Sequence, residues 1–126
     1  VDETDTTVQT DNYIFDEIRM ELSNERSQLR QQLTQKMASE QFTAEEKSKA
    51  FDEMNALIER ESSEAMLEML VKSLGYPDAL VRIDEGKVAV TVMSEEVSTE
   101  QANEIVFIVK SELDPAVQVV VDYKST

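Results

Sequence analysis

Between Ser98 and Tyr123 the chain reads STEQANEIVFIVKSELDPAVQVVVDY, a capped helix, a stop and a strand in succession, and few folds accommodate that order beside the elements that precede it. Ser98 and Gln101 have the spacing of a capping box, in which hydroxyl and amide each satisfy a backbone N–H that the first helical turn leaves without a partner. Ala102, Ile105, Val106, Val109 and Leu113 recur at three and four, one apolar stripe, with Glu100, Asn103, Glu104 and Lys110 on the wet side. Asp114 and Pro115 end the helix, because a proline ring excludes the preceding residue from the helical region. Val117, Val119, Val121 and Tyr123 then alternate with Gln118, Asp122 and Lys124, the period of a strand with one covered face.

The upstream chain supplies partners for that unit. Residues 78–84 and 87–93 predict two strands joined at Asp84, Glu85, Gly86 and Lys87, with Gly86 suited to the positive φ of a tight turn. Before them Met66, Leu67, Leu70, Val71 and Leu74 form a helical stripe that Gly75 and Pro77 close. The order from residue 62 is therefore helix, strand, strand, helix, strand. A right-handed crossover places both helices on one face of a three-stranded sheet, and the first strand is expected at its centre. The second face carries Arg82, Thr91 and Gln118 beside Met93 and Val120, so it is not plainly polar.

The N-terminal part divides in two. Residues 1–10 are Thr- and Asp-rich and aperiodic, which predicts a disordered lead-in. Residues 11–61 predict a helical hairpin. Its first helix carries Phe15, Ile18, Leu22, Leu29, Leu33 and Met37 on one stripe, interrupted by Glu25 and Arg26. Its second begins at a capping box of Thr43 and Glu46 and carries Phe51, Met54, Leu57 and Ile58. A break or bend is expected at Ser62 and Ser63, where that stripe fades. The expected fold is thus α+β: a disordered lead-in at 1–10, a helical hairpin appendage at 11–61 and an αββαβ domain at 62–126.

Composition removes many functions. A chain of 126 residues with 27 acidic and 12 basic side chains carries a net charge of −15, which repels phosphate backbones and anionic lipid, so nucleic-acid and membrane-surface binding are not expected. Without histidine or cysteine there is no Ser-His-Asp or Cys-His nucleophile, no zinc site of the usual composition and no disulfide framework. Glu45 with Glu46 and Glu95 with Glu96 are adjacent in sequence, and neighbouring side chains diverge on a helix or strand; they read as a solvated acidic face. Both glycines fall at turns, so no glycine-rich loop approaches a phosphate, and the GXXG loop of a K-homology RNA module is absent. The methionines on helical stripes, Met54, Met66 and Met69, read as core filling, and Tyr76 as an anchor for the helix-to-strand corner. No catalytic residue, metal ligand or cofactor site is expected, and none is assigned.

The segment EAMLEMLVKSLGYPDALVRIDEGKVAVTV, with TAEEKSKAFDEMNAL upstream and the closing hydrophobic strand, resembles the extracytoplasmic domain of the stage III sporulation protein AH family of endospore-forming bacteria, over about Tyr13 to Ser125. The resemblance implies a non-enzymatic ring-building-motif domain in the space between mother cell and forespore. It also implies self-association into a ring, binding to stage II sporulation protein Q, and a channel linking the two cells. Family members are mother-cell membrane proteins anchored by an N-terminal span, which this sequence lacks, as a fragment beginning at Val1 would. Two other readings fit the residues: a regulatory helical adaptor working through 11–61 alone, and an enzyme with carboxylates gathered about a metal.

Two surfaces are candidates for the partner. In a sheet with the first strand central, the last strand is an edge, and Val117, Gln118, Val119, Val120 and Val121 run along it without the proline, glycine bulge or central lysine that usually protects one. Proline at Val120 is then the natural probe. The apolar stripe at Phe15, Ile18 and Leu22, on a helix longer than a small core can cover, is the other.

Overall fold

A computed structural model describes the backbone of residues 2–125 and the side chains of residues 14–125. Three helices and a three-stranded mixed sheet follow in the order α1 (Asp2–Ala38), α2 (Ala44–Lys72), β1 (Ala79–Asp84), β2 (Lys87–Met93), α3 (Thr99–Glu112) and β3 (Gln118–Lys124). Both capping boxes form. Thr43 and Ser98 each accept from the backbone three residues on, and Glu46 and Gln101 reach back to the cap N–H. Gly86 takes φ 68° in the β1–β2 turn and Gly75, beyond the end of α2, φ 119°, values that a side chain would strain.

The main core lies between the sheet and two helices. Leu67 and Val71 of α2 meet Ile105 and Val109 of α3 over Ala79 and Val81 of β1 and Val88, Val90 and Val92 of β2. Val117, Val119, Val121 and Tyr76 pack against its margin. The sheet order is β1-β2-β3, with β1 antiparallel and β3 parallel to β2. The central strand is thus β2 and not β1, a correction to the expected order. α3 carries the chain from β2 to the open side of the hairpin, because α2 already occupies the outer side of β1. β3 remains an edge in either order.

The helical part departs further from expectation. α1 begins at Asp2, within the stretch expected to be a disordered lead-in; neither glycine nor proline interrupts residues 2–38, and an established helix extends at little cost per residue. α2 is not broken at Ser62 and Ser63. Ala50, Leu57, Glu64 and Val71 repeat every seven residues as buried positions on one continuous helix. The expected boundary at 61/62 therefore falls inside α2, whose second half both covers the sheet and pairs with α1. The stripe of α2 is also rotated from the predicted one: Ala50 and Leu57 are buried while Phe51 and Ile58 are exposed. Met69, expected in the core, is exposed as well, and Met93 is buried.

Candidate interaction edges of the sheet

The strand registers decide which backbone groups face outward. In β1, the Met93 N–H donates to the Asp78 carbonyl, which fixes Leu80, Arg82 and Asp84 as the residues bonded to β2 and turns the N–H groups of Ala79, Val81 and Ile83 away from the sheet. In β3, the Gln118 N–H donates to the Gly86 carbonyl and the Lys124 carbonyl accepts from the Ser94 N–H. Residues 118, 120, 122 and 124 therefore face β2, and Val119, Val121 and Tyr123 direct their backbone groups outward. The donor at Val120 belongs to the internal ladder, so proline there would break the sheet itself; the outward donors are at Val119 and Val121.

Three carboxylates close the outer edge of β1. Val81 N–H donates to Glu68 Oε2 at 3.0 Å, Ile83 N–H to Glu64 Oε2 at 2.7 Å, and Ala79 N–H to Asp78 Oδ1 at 2.8 Å. Arginines of α1 hold these carboxylates. Arg26 is bidentate to Glu64, Nη1 to Oε1 at 2.8 Å and Nη2 to Oε2 at 3.0 Å, with both residues buried. Arg19 is bidentate to Asp78 at 2.9 and 2.7 Å and also donates to the Ala79 carbonyl at 2.8 Å, while its Nη2 lies 3.8 Å from Glu68. The Arg19 hydrogen bond holds the Asp78 carboxyl below its usual range. Burial pushes the Glu68 carboxyl up, partly offset by the Val81 N–H and Arg19. The Asp78 and Glu64 hydrogen bonds raise the guanidinium values of Arg19 and Arg26 respectively.

The spacing brings these groups together. Arg19 and Arg26 are seven apart on α1, and Glu61, Glu64 and Glu68 share one face of α2, so two successive turns of the hairpin seam deliver charge to the same strand edge. Arg26, which reads in sequence as an interruption of the apolar stripe, is a seam residue. Its heptad position, seven before Leu33, and that of Glu64, seven after Leu57, are the signals that would have found the pair.

β3 carries no comparable cover. Its outward N–H groups at Val119 and Val121 have no hydrogen-bond partner among the described residues, while the Tyr123 N–H turns to Asp122 Oδ1 at 2.8 Å. Val119 and Val121 direct their side chains to the margin of the main core, and Gln118 and Val120 are exposed on the second face. Val117 precedes the strand, its N–H bound to the Asp114 carbonyl.

The other expected surface is partly occupied by the chain itself. Phe15 is 1% exposed and packs on Leu80 and Met93, with Ile18 beside it. The first helix thus lays its apolar stripe on the second face of the sheet, which explains why Met93 and Leu80 point there. Ile18 and Leu22 are half-buried and, with Glu21, Glu25, Leu80 and Arg82, line a groove of ≈ 210 Å³ between α1 and the strands. Of the two carboxylates that line it, that of Glu25 pairs with Arg82 at 3.4 Å. Among the described residues, no group of three or more acidic side chains is arranged to hold a metal ion, and no helix is long and apolar enough to cross a membrane.

Fold and surface define a small α+β domain whose distinctive feature is one open and one closed sheet edge. The profile of the SpoIIIAH-like protein family matches residues 1–121. The chain is 37% identical over 118 residues to stage III sporulation protein AH of Bacillus subtilis (strain 168), covering 94% of this chain and 54% of that protein's length. It also superposes on a chain of the solved SpoIIQ-SpoIIIAH pore-forming complex with a TM-score of 0.83 at 37% identity, over 90% of this chain and 98% of the other. The chain belongs to the SpoIIIAH-like family.

Proposed function

We propose that this chain is a non-enzymatic interaction domain of a sporulation channel, which associates into a ring or larger multimer and binds a SpoIIQ protein in the space between mother cell and forespore. The observation that carries this reading is the likeness to a chain of the SpoIIQ-SpoIIIAH pore-forming complex over nearly all of that chain. Family membership supports it. The chain spans about half the length of its curated relative, so anchoring of the longer protein in the mother-cell membrane belongs to the same proposal.

The partner's place in this reading is the outer edge of β3. The register supports it, because an extended segment meets free donors at Val119 and Val121 there, whereas the edge of β1 already spends its donors on carboxylates. Ile18 and Leu22, beside the covered Phe15, form the second candidate contact, at the groove mouth. Mixing this domain with a SpoIIQ ectodomain and measuring complex mass and affinity tests the reading. A complex that weakens with Val121→Pro while the free domain stays folded supports it; absence of a complex at micromolar concentrations overturns it.

A further inference from the structure

We infer that the sheet of this protein accepts an added strand on one side only: the carboxylates of Glu64, Glu68 and Asp78, clamped by Arg26 and Arg19, seal the β1 edge, and lengthening proceeds from β3 alone. The choice of β3 rests on the proposed function above; the seal at β1 stands on its own geometry.

Hydrogen-bond valence closes the β1 edge. An incoming strand must exchange N–H and C=O bonds with alternate residues of the edge it joins. On β1 those residues are Ala79, Val81 and Ile83, and all three N–H groups already donate to carboxylates at 2.7–3.0 Å, while the Ala79 carbonyl accepts from Arg19. Displacing Glu64 would leave a buried carboxylate and Arg26 without their mutual bonds, a costly arrangement in a low-dielectric seam. Displacing Asp78 would release Arg19. The net charge of −15 adds a general repulsion between copies of this chain.

The consequence concerns assembly. A ring or filament made by continuing the sheet needs both edges, since a head-to-tail contact joins two different surfaces. With β1 sealed, β3 of one copy has no β1 to meet, and the open edge is left for one extended strand of a different protein. Copies that associate other than edge to edge must do so through helix or sheet faces. A two-fold pair of β3 edges is the remaining self-contact and is an outcome of the test.

Residue-resolved amide hydrogen exchange distinguishes the claims. In the free protein the Val81 and Ile83 amides should exchange at least about tenfold more slowly than those of Val119 and Val121, although all four lie on edge strands. Glu68→Ala should accelerate Val81 by about tenfold or more, whereas Glu68→Gln, which keeps an acceptor oxygen, should change it by less than about threefold. Equal rates on the two edges of the free protein, or a Val81 amide indifferent to Glu68→Ala, would overturn the seal. Addition of a SpoIIQ ectodomain should protect Val119 and Val121 and leave Val81 and Ile83 unchanged; new protection at Val81 and Ile83 also overturns the seal. Protection of neither edge in a formed complex would instead refute the β3 reading with the seal intact. Protection of Val119 and Val121 that grows with concentration of this chain alone identifies a two-fold β3 pair, which contradicts reservation of that edge for a different protein.

Discussion

Arg26→Leu is the sharpest test of how the hairpin is joined to the sheet. Arg26 and Glu64 are 6% and 5% exposed and bonded at two points, so the substitution leaves a buried carboxylate that keeps only the Ile83 N–H. Breaking such a pair from one side costs about 3–5 kcal/mol, far more than an exposed ion pair is worth. For a chain of this length that corresponds to a fall in Tm of roughly 10–20 °C. The double variant Arg26→Leu with Glu64→Leu removes the stranded charge, and the Ile83 N–H, on a strand edge, can turn to water; it should recover most of the loss. Urea unfolding of the wild type, both single variants and the double variant gives the coupling directly. A loss under about 1 kcal/mol for Arg26→Leu, or a double variant no more stable than the singles, would refute the placement of this pair in a dry seam.

Other consequences are measurable in the same way. Ile105→Ala, at a fully buried position over the centre of the sheet, should cost about 2–5 kcal/mol by urea unfolding; an unchanged midpoint would put Ile105 outside the core. Phe15→Ala should cost about 3–5 kcal/mol and loosen the first part of α1, read as faster amide exchange around Ile18, and no change would mean that α1 does not rest on Leu80 and Met93. Acidification should act in two opposite stages. Glu68, its carboxyl raised by burial, lowers stability while ionised and relieves that penalty as pH falls through its folded value towards the unfolded one. Asp78, lowered by Arg19, contributes stability above its unfolded value that is lost as pH falls through its folded one. The stability difference between wild type and Glu68→Gln should therefore shift in favour of the wild type on mild acidification, and that between wild type and Asp78→Asn should shrink in stronger acid. PH-independent differences would contradict both assignments.

Local signals were legible in the sequence and long-range ones were not. The capping boxes at Thr43 and Ser98, the Gly86 turn and the strands near 79–84, 87–93 and 118–124 follow from residues within a few positions of one another, and each is present. Strand order is different in kind: placing β1 or β2 at the centre buries the same valines, and what excludes the first is α2 lying along the outer side of β1. The break expected at Ser62 and Ser63 failed because helix propensity is weak beside the packing of Leu57, Glu64 and Val71 along one seam. The sealed edge joins Arg19 to Asp78 across 59 positions and Arg26 to Glu64 across 38, and a charged residue within an apolar stripe does not announce its partner. The candidate edge at Val119 and Val121 was readable as unprotected from its composition. Which of its residues face outward required the register, and that moved the proline probe from Val120 to Val119 or Val121.

The most direct test of the account is the affinity of this domain for a SpoIIQ ectodomain, measured by calorimetry for the wild type and for Val121→Pro, with circular dichroism to show that both are folded. Proline at Val121 removes one outward donor and leaves the β2–β3 ladder intact. The account predicts a complex with the wild type and at least about tenfold weaker binding by the folded variant. Equal affinity of the two folded proteins would contradict β3 as the contact edge, and no binding by the wild type would contradict the proposed function itself.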